Sequence, residues 1–133
     1  MNWVPWDDTL RTGHSGMDSE HGRLAELFNL LAGAMEQDAG NDGYASVLDD
    51  IIAHTREHFA VEEELMDRYH YPKGAEHKAE HAMLIDQVLG YKANFEAVRA
   101  TSPAAVSVFP EVWLAYHILF SDKQLADFLA QNA

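Results

Sequence analysis

The residues best suited to chemistry in this chain are histidines and carboxylates set at helical spacing. His58 and Glu62 lie four positions apart in His58-Phe-Ala-Val-Glu62, and His77 and His81 lie four apart in His77-Lys-Ala-Glu-His81. Residues at i and i+4 share one face of an α-helix about a turn apart, so each pair can reach a common point. Downstream comes His117-Ile-Leu-Phe-Ser-Asp122, and upstream His21 shares an apolar stripe with Leu24 and Phe28. A lone histidine on an apolar face is usually a hydrogen-bonded core residue, and a single pair is often part of a solvated face. Four matched elements in chain order, one per helix, are a different matter. Burying that many polar groups without partners costs on the order of a few kcal/mol each, and a metal centre satisfies them together. Five imidazoles and two carboxylates exceed what one tetrahedral zinc takes. They suit two transition-metal ions bridged by the carboxylates.

Two spacings need a closer look. Five residues from His117 to Asp122 at ~100° each leave the two side chains roughly 140° apart on a regular α-helix. Both face one site only if the helix widens locally, so the spacing predicts a π-type bulge between Leu114 and Asp122. His54 lies four residues before His58 and could compete as a ligand. It stands ~12 Å along the helix axis from Glu62, too far to share a centre whose metals are ~4 Å apart. His54, His58 and Glu62 can therefore commit only one neighbouring pair.

These side chains require four rods to carry them. Residues 1–17 hold two tryptophans, a proline and two glycines and read as an irregular N-terminal arm packed on the rest. Asp18 and Ser19 offer an N-cap, ahead of His21, Leu24, Phe28, Leu31 and Met35 at three- and four-residue steps. That first helix is expected over about 18–38, and Asp38 to Gly43 reads as loop. A second helix is expected over about 45–69, with Leu48, Ile51, Ile52, Phe59, Leu65 and Met66 inward, ended by Tyr71-Pro72-Lys73-Gly74. A third is expected over about 75–99, with Leu84, Ile85, Val88, Tyr91 and Phe95 inward. The last covers about 104–131, after Thr101-Ser102-Pro103. Pro110 either starts this helix or follows a short helical piece with a kink. Nothing alternates with period two for long enough to make a sheet. Short connections between four helices imply an all-α, antiparallel up-down-up-down four-helix bundle, one domain over 1–133.

Bulk properties narrow the function. At 133 residues and 47% hydrophobic, the chain can bury a core without staples. It has no cysteine, which removes disulfides, zinc–thiolate sites and iron–sulfur clusters. A net charge of −13 repels phosphate backbones and anionic membrane surfaces. The N-terminus, MNWVPWDDTL, has no secretory pattern. No uninterrupted apolar run approaches the ~20 residues of a membrane span. The expected location is the cytoplasm.

The order of a lone His, then HxxxE, HxxxH and HxxxxD, resembles the hemerythrins and the bacterial hemerythrin-like domains. Met17-Asp18 before His21, Phe59 after His58, the Glu62-Glu63-Glu64 run, Tyr71-Pro72, and Trp113-Leu114 before His117 agree with that resemblance. It spans nearly the whole chain. The resemblance implies a non-haem di-iron centre with an oxygen bridge, holding His77, His81 and His117 on one iron and His21 and His58 on the other. Glu62 and Asp122 are implied as bridging carboxylates, and Leu114 as an apolar residue of the oxygen pocket. It selects His58 with Glu62 and leaves His54 beside the centre or on the surface. His14 is expected near the site entrance, His70 in a solvated loop, and Glu63 and Glu64 on a charged outer face. Phe28, Phe59, Ile118 and Met66 are further candidates for a dry lining.

The implied function is reversible binding of dioxygen for carriage, storage or delivery, not enzymatic turnover. Dioxygen is the one expected partner, with no nucleic acid and no membrane. Alternatives are an oxygen- or redox-sensing module, a di-iron oxidase or peroxidase, and iron or nitric oxide handling. Ferritins and di-iron oxidases rely on carboxylates and a Glu-x-x-His pattern, which this sequence lacks.

Overall fold

The computed structural model of the chain describes residues 3–4, 6–38 and 40–132. Residues 1, 2 and 5 of the expected arm, 39 of the expected loop and 133 lie outside the described residues. The order is a 3-10 turn at Asp8–Leu10, α1 (Ser15–Glu36), α2 (Gly40–Arg68), α3 (Gly74–Thr101), a 3-10 turn at Pro103–Ser107, α4 (Val108–His117), a π-helical turn at Ile118–Asp122, and α5 (Lys123–Asn132). The last three run on without a break, so the chain builds four rods joined by short connections. They form an all-α four-helix bundle in which α1 packs on α2 and α2 on α3. Among the described residues there is no strand.

The helix starts differ from the sequence expectation. Asp18 and Ser19 do not cap α1; His14 does, its Nδ1 accepting the Met17 N–H at 3.1 Å. His14 thus serves as a helix cap, a role its sequence position did not suggest. Asp18, inside the first turn, accepts the N–H of Thr12 (2.7 Å) and Gly13 (3.2 Å) and the Thr12 hydroxyl (2.8 Å). Gly13 sits at φ +91, where a side chain would be strained. Asn41, Asp42 and Gly43, expected in a loop, form the first turn of α2, where the Asp42 charge favours the positive helix end. At the other end of α2, exposed His70 takes a left-handed conformation (φ 54), and the Tyr71 N–H returns to the Met66 carbonyl at 2.9 Å. Pro110 occupies the first turn of α4, where its missing N–H costs nothing.

The arm packs down on its own bundle. Trp3 and Val4 are buried, and the Asn29 side chain clamps both backbone groups of Val4, at 2.9 and 3.0 Å. Two apolar clusters fill the interior. The larger holds Leu24, Phe28, Leu31, Ile51, Phe59, Leu84, Val88, Phe95, Leu114 and Ile118 among others. The smaller holds Met17, Met66, Leu125, Ala126 and Leu129. Of the expected core, Met35, Leu65, Ile85 and Tyr91 are only partly buried, whereas Tyr44 and Leu27 belong to it unpredicted. His21 falls between Met17 and Leu24, Glu62 between Phe59 and Met66, and His117 and Asp122 between Leu114 and Leu125. The polar residues therefore form a layer between two apolar ones. Residues Ala104–Asn132 are long and apolar enough, by composition alone, to cross a membrane. In this fold the stretch carries Trp113, Leu114, Ile118 and Leu125 into the core beside the buried Asp122.

Candidate metal centre

Each rod delivers its share of the polar layer for a local reason. On α2 and α3 the i, i+4 spacing stacks His58 over Glu62 and His77 over His81. On the last rod, the π-helical turn at Ile118–Asp122 absorbs the extra residue and brings Asp122 to the face of His117. The bulge stands in the interval that the spacing predicts. All seven side chains are buried, with Glu62 and Asp122 at 0% exposure.

Their ligating atoms converge in two overlapping groups. One comprises Glu62, His77, His81, His117 and Asp122; the other comprises His21, His58, Glu62 and Asp122. Within each group the atoms lie within 4.8 Å of one another. Both carboxylates are shared, one oxygen to each side. Glu62 Oε1 faces Nε2 of His81 (3.0 Å), His77 (3.2 Å) and His117 (4.0 Å). Its Oε2 faces Nε2 of His58 (2.6 Å) and His21 (3.7 Å). Asp122 Oδ1 faces His117 (3.0 Å) and His77 (3.2 Å), and its Oδ2 faces His21 (2.7 Å).

Several of these close atoms still lack hydrogen-bond geometry. His21 Nε2, His58 Nε2, His117 Nε2, Glu62 Oε2 and both Asp122 oxygens are buried without a hydrogen-bond partner. Stranded buried polar atoms are costly, and they converge on the points where cations would satisfy them. The donor set of imidazole nitrogen and carboxylate oxygen suits iron, so the residues fit the metal pair.

The electrostatics agree. Burial alone lowers the His58 imidazole, but the carboxylates of Glu20 and Glu62 raise it to about 10. His117 is likewise lowered by burial and raised to about 10 by Asp122 and Glu80. His77 is raised to about 9 by Asp122 and Glu62 against burial. Burial pushes Glu62 up, yet the surrounding imidazoles hold it well below the usual carboxylate range. Asp122 is held low in the same way, by His117 and His21. Two buried carboxylates this close stay ionised because positive charge surrounds them.

Phe59 stacks on the His81 ring at 3.8 Å between centroids and 4° between planes, forming an apolar wall of the site. Leu114 is buried one turn before His117, in the larger cluster with Phe28, Phe59 and Ile118; Met66 lies in the smaller one. His54 is not drawn into either group: its Nε2 donates to the Glu20 carbonyl at 2.9 Å, and its ring lies parallel to His58. A surface hollow of about 280 Å³, lined by Tyr71, His77, Glu80, Tyr116 and Phe120 among others, reaches the three-histidine side.

Sequence reasoning missed three carboxylates. Glu63, expected on an outer face, contacts His81 Nδ1 at 3.0 Å. Glu80 contacts His117 Nδ1 at 2.6 Å, and Glu20 contacts His58 Nδ1. Each adjoins a candidate ligand in sequence, and that adjacency was the one available signal. Glu64 does lie on the exposed face, paired with Arg68.

A four-helix bundle carrying a buried layer of five histidines and two shared carboxylates is a metal-holding helical protein. Residues 12–129 match the model of the hemerythrin HHE cation-binding domain. The chain is 34% identical to a bacteriohemerythrin of Stenotrophomonas maltophilia over 96% of its own length and 82% of that protein. It is 32% identical to a bacteriohemerythrin of Ralstonia nicotianae (99% and 93% covered) and 30% identical to a myohemerythrin of Riftia pachyptila (85% and 82%). The chain belongs to the hemerythrin family.

Proposed function

We propose that this protein holds two iron ions and binds dioxygen reversibly, as an oxygen carrier, store or delivery protein of the cytoplasm and not as an enzyme. The observation that carries the reading is the division of each carboxylate between two sides: Glu62 turns one oxygen toward three imidazoles and the other toward two, and Asp122 turns one toward His77 and His117 and the other toward His21. In this reading His77, His81 and His117 hold one iron, His21 and His58 hold the other, and Glu62 and Asp122 bridge them. With three histidines on one side and two on the other, a metal pair held here would be unequally coordinated. The iron pair supplies the electrons and the open position that dioxygen needs.

The chain's own residues govern the rest. Leu114, Phe59 and Ile118 keep the surroundings apolar and exclude water, which would otherwise favour loss of bound oxygen with oxidised iron left behind. Membership of a family that includes myohemerythrin supports binding over turnover.

The test is iron analysis together with visible absorption of the protein cycled between air and argon. Two irons per chain and a spectrum that returns over repeated cycles are expected. One zinc per chain, or a spectrum that bleaches irreversibly while a substrate is consumed, would overturn the reading.

A further inference from the structure

Three half-exposed glutamates outside the ligand set repeat one arrangement. Glu20 precedes His21, Glu63 follows Glu62, and Glu80 precedes His81. A one-residue step turns a helical side chain by ~100°, so each glutamate leaves the inward face and reaches the seam with the next rod. There Glu20 of α1 meets Nδ1 of His58 on α2, Glu63 of α2 meets His81 of α3 at 3.0 Å, and Glu80 of α3 meets His117 of α4 at 2.6 Å. Ser121, inside the π-helical turn, donates to Glu80 at 2.7 and 2.8 Å and holds it in place. An ionised carboxylate only accepts, so the imidazole nitrogen facing it carries the proton.

We propose that Glu20, Glu63 and Glu80 are positioning residues for the metal centre. Each accepts the Nδ1–H of the histidine on the following rod, so that Nε2, stripped of its proton when a metal binds, would aim its lone pair inward. This rests on the di-iron reading above. The support is uneven: one ring of the two-histidine group and two of the three-histidine group receive it. His21 Nδ1 is buried with no hydrogen-bond partner. A carboxylate behind an imidazole also makes the ring a stronger donor to a metal, so each glutamate acts on iron retention through another residue.

The test compares Glu20→Ala, Glu63→Ala and Glu80→Ala with Glu80→Gln, with Glu64→Ala as a control away from any histidine. Iron retention is read by competition with an iron(II) chelator, and hydrogen exchange of the imidazole Nδ1–H by proton NMR of the iron-loaded protein. Each alanine variant is expected to lose roughly tenfold in iron affinity, with faster exchange of its own ring proton. Glu80→Gln, whose amide oxygen still accepts Nδ1–H, is expected to recover most of the loss, and it carries the test if an alanine variant does not fold. Alanine variants that retain iron as tightly as Glu64→Ala, or a glutamine as damaging as alanine, would overturn the proposal. Unaltered protein that binds no iron pair would instead overturn the reading beneath it.

Discussion

At the scale of single residues, the chain gathers five imidazoles and two carboxylates in one buried layer, several of their atoms without a hydrogen-bond partner. Leu114 is fully enclosed beside that layer. Leu114→Ala is expected to cost about 2–5 kcal/mol in stability and to admit water, so oxygenated protein should fade to the oxidised form faster, as followed by absorption in air. Asp18 acts at the helix start. Burial raises its carboxyl, but the Thr12 and Gly13 N–H groups and the Thr12 hydroxyl outweigh that and hold it below its ordinary 3.8. Its contribution is therefore present above pH 3.8 and is lost as pH falls through the depressed folded value. Melting temperatures of the metal-free protein between about pH 2 and 6 should fall more steeply with acid than those of Asp18→Asn. Equal slopes would show that Asp18 adds nothing. The seven candidate ligands were legible in the sequence because helical spacing puts them on apolar faces. Glu20, Glu63 and Glu80 were not. A residue one step off the inward face reads as solvated until the neighbouring rod is known.

At the scale of elements, the π-helical turn is the feature with most leverage. Its existence was legible, since the five-residue step from His117 to Asp122 fits no regular helix facing one site. Helix starts were less so, because Asp18 and Ser19 look like caps whereas His14 does the capping, and α2 begins within a glycine-rich stretch. Phe120 lies in the wide turn and is 57% exposed. Deleting it would leave a four-residue step, which a regular α-helix already puts on one face. Because the wide turn absorbs one residue, Leu125, Ala126 and Leu129 would then keep their places in the smaller apolar cluster. The expected product closes into regular α-helix, keeps its iron and melts near the parent, measured by metal analysis and circular dichroism. A deletion variant that loses both would show that the wide turn does more than absorb one residue.

At the scale of the whole molecule, two apolar clusters flank a polar layer that ties all four rods together. The larger cluster draws residues from all four rods, so stripping iron with a chelator should leave the far-ultraviolet dichroism largely intact. The melting temperature should fall, because a ligand that binds only the folded state stabilises it by mass action. An unchanged melting temperature on iron removal would contradict a centre built into the fold. The contacts also form a closed circuit. Glu20 links α1 to α2, Glu63 links α2 to α3, Glu80 links α3 to α4, and Asp122, facing His21, returns to α1. Opening any seam breaks the circuit, so under the di-iron reading metal held inside it would resist parting of the rods. Chains made during iron starvation should accordingly be clipped sooner by a protease than iron-replete ones, and survival of the intact band on a gel would report cellular iron supply.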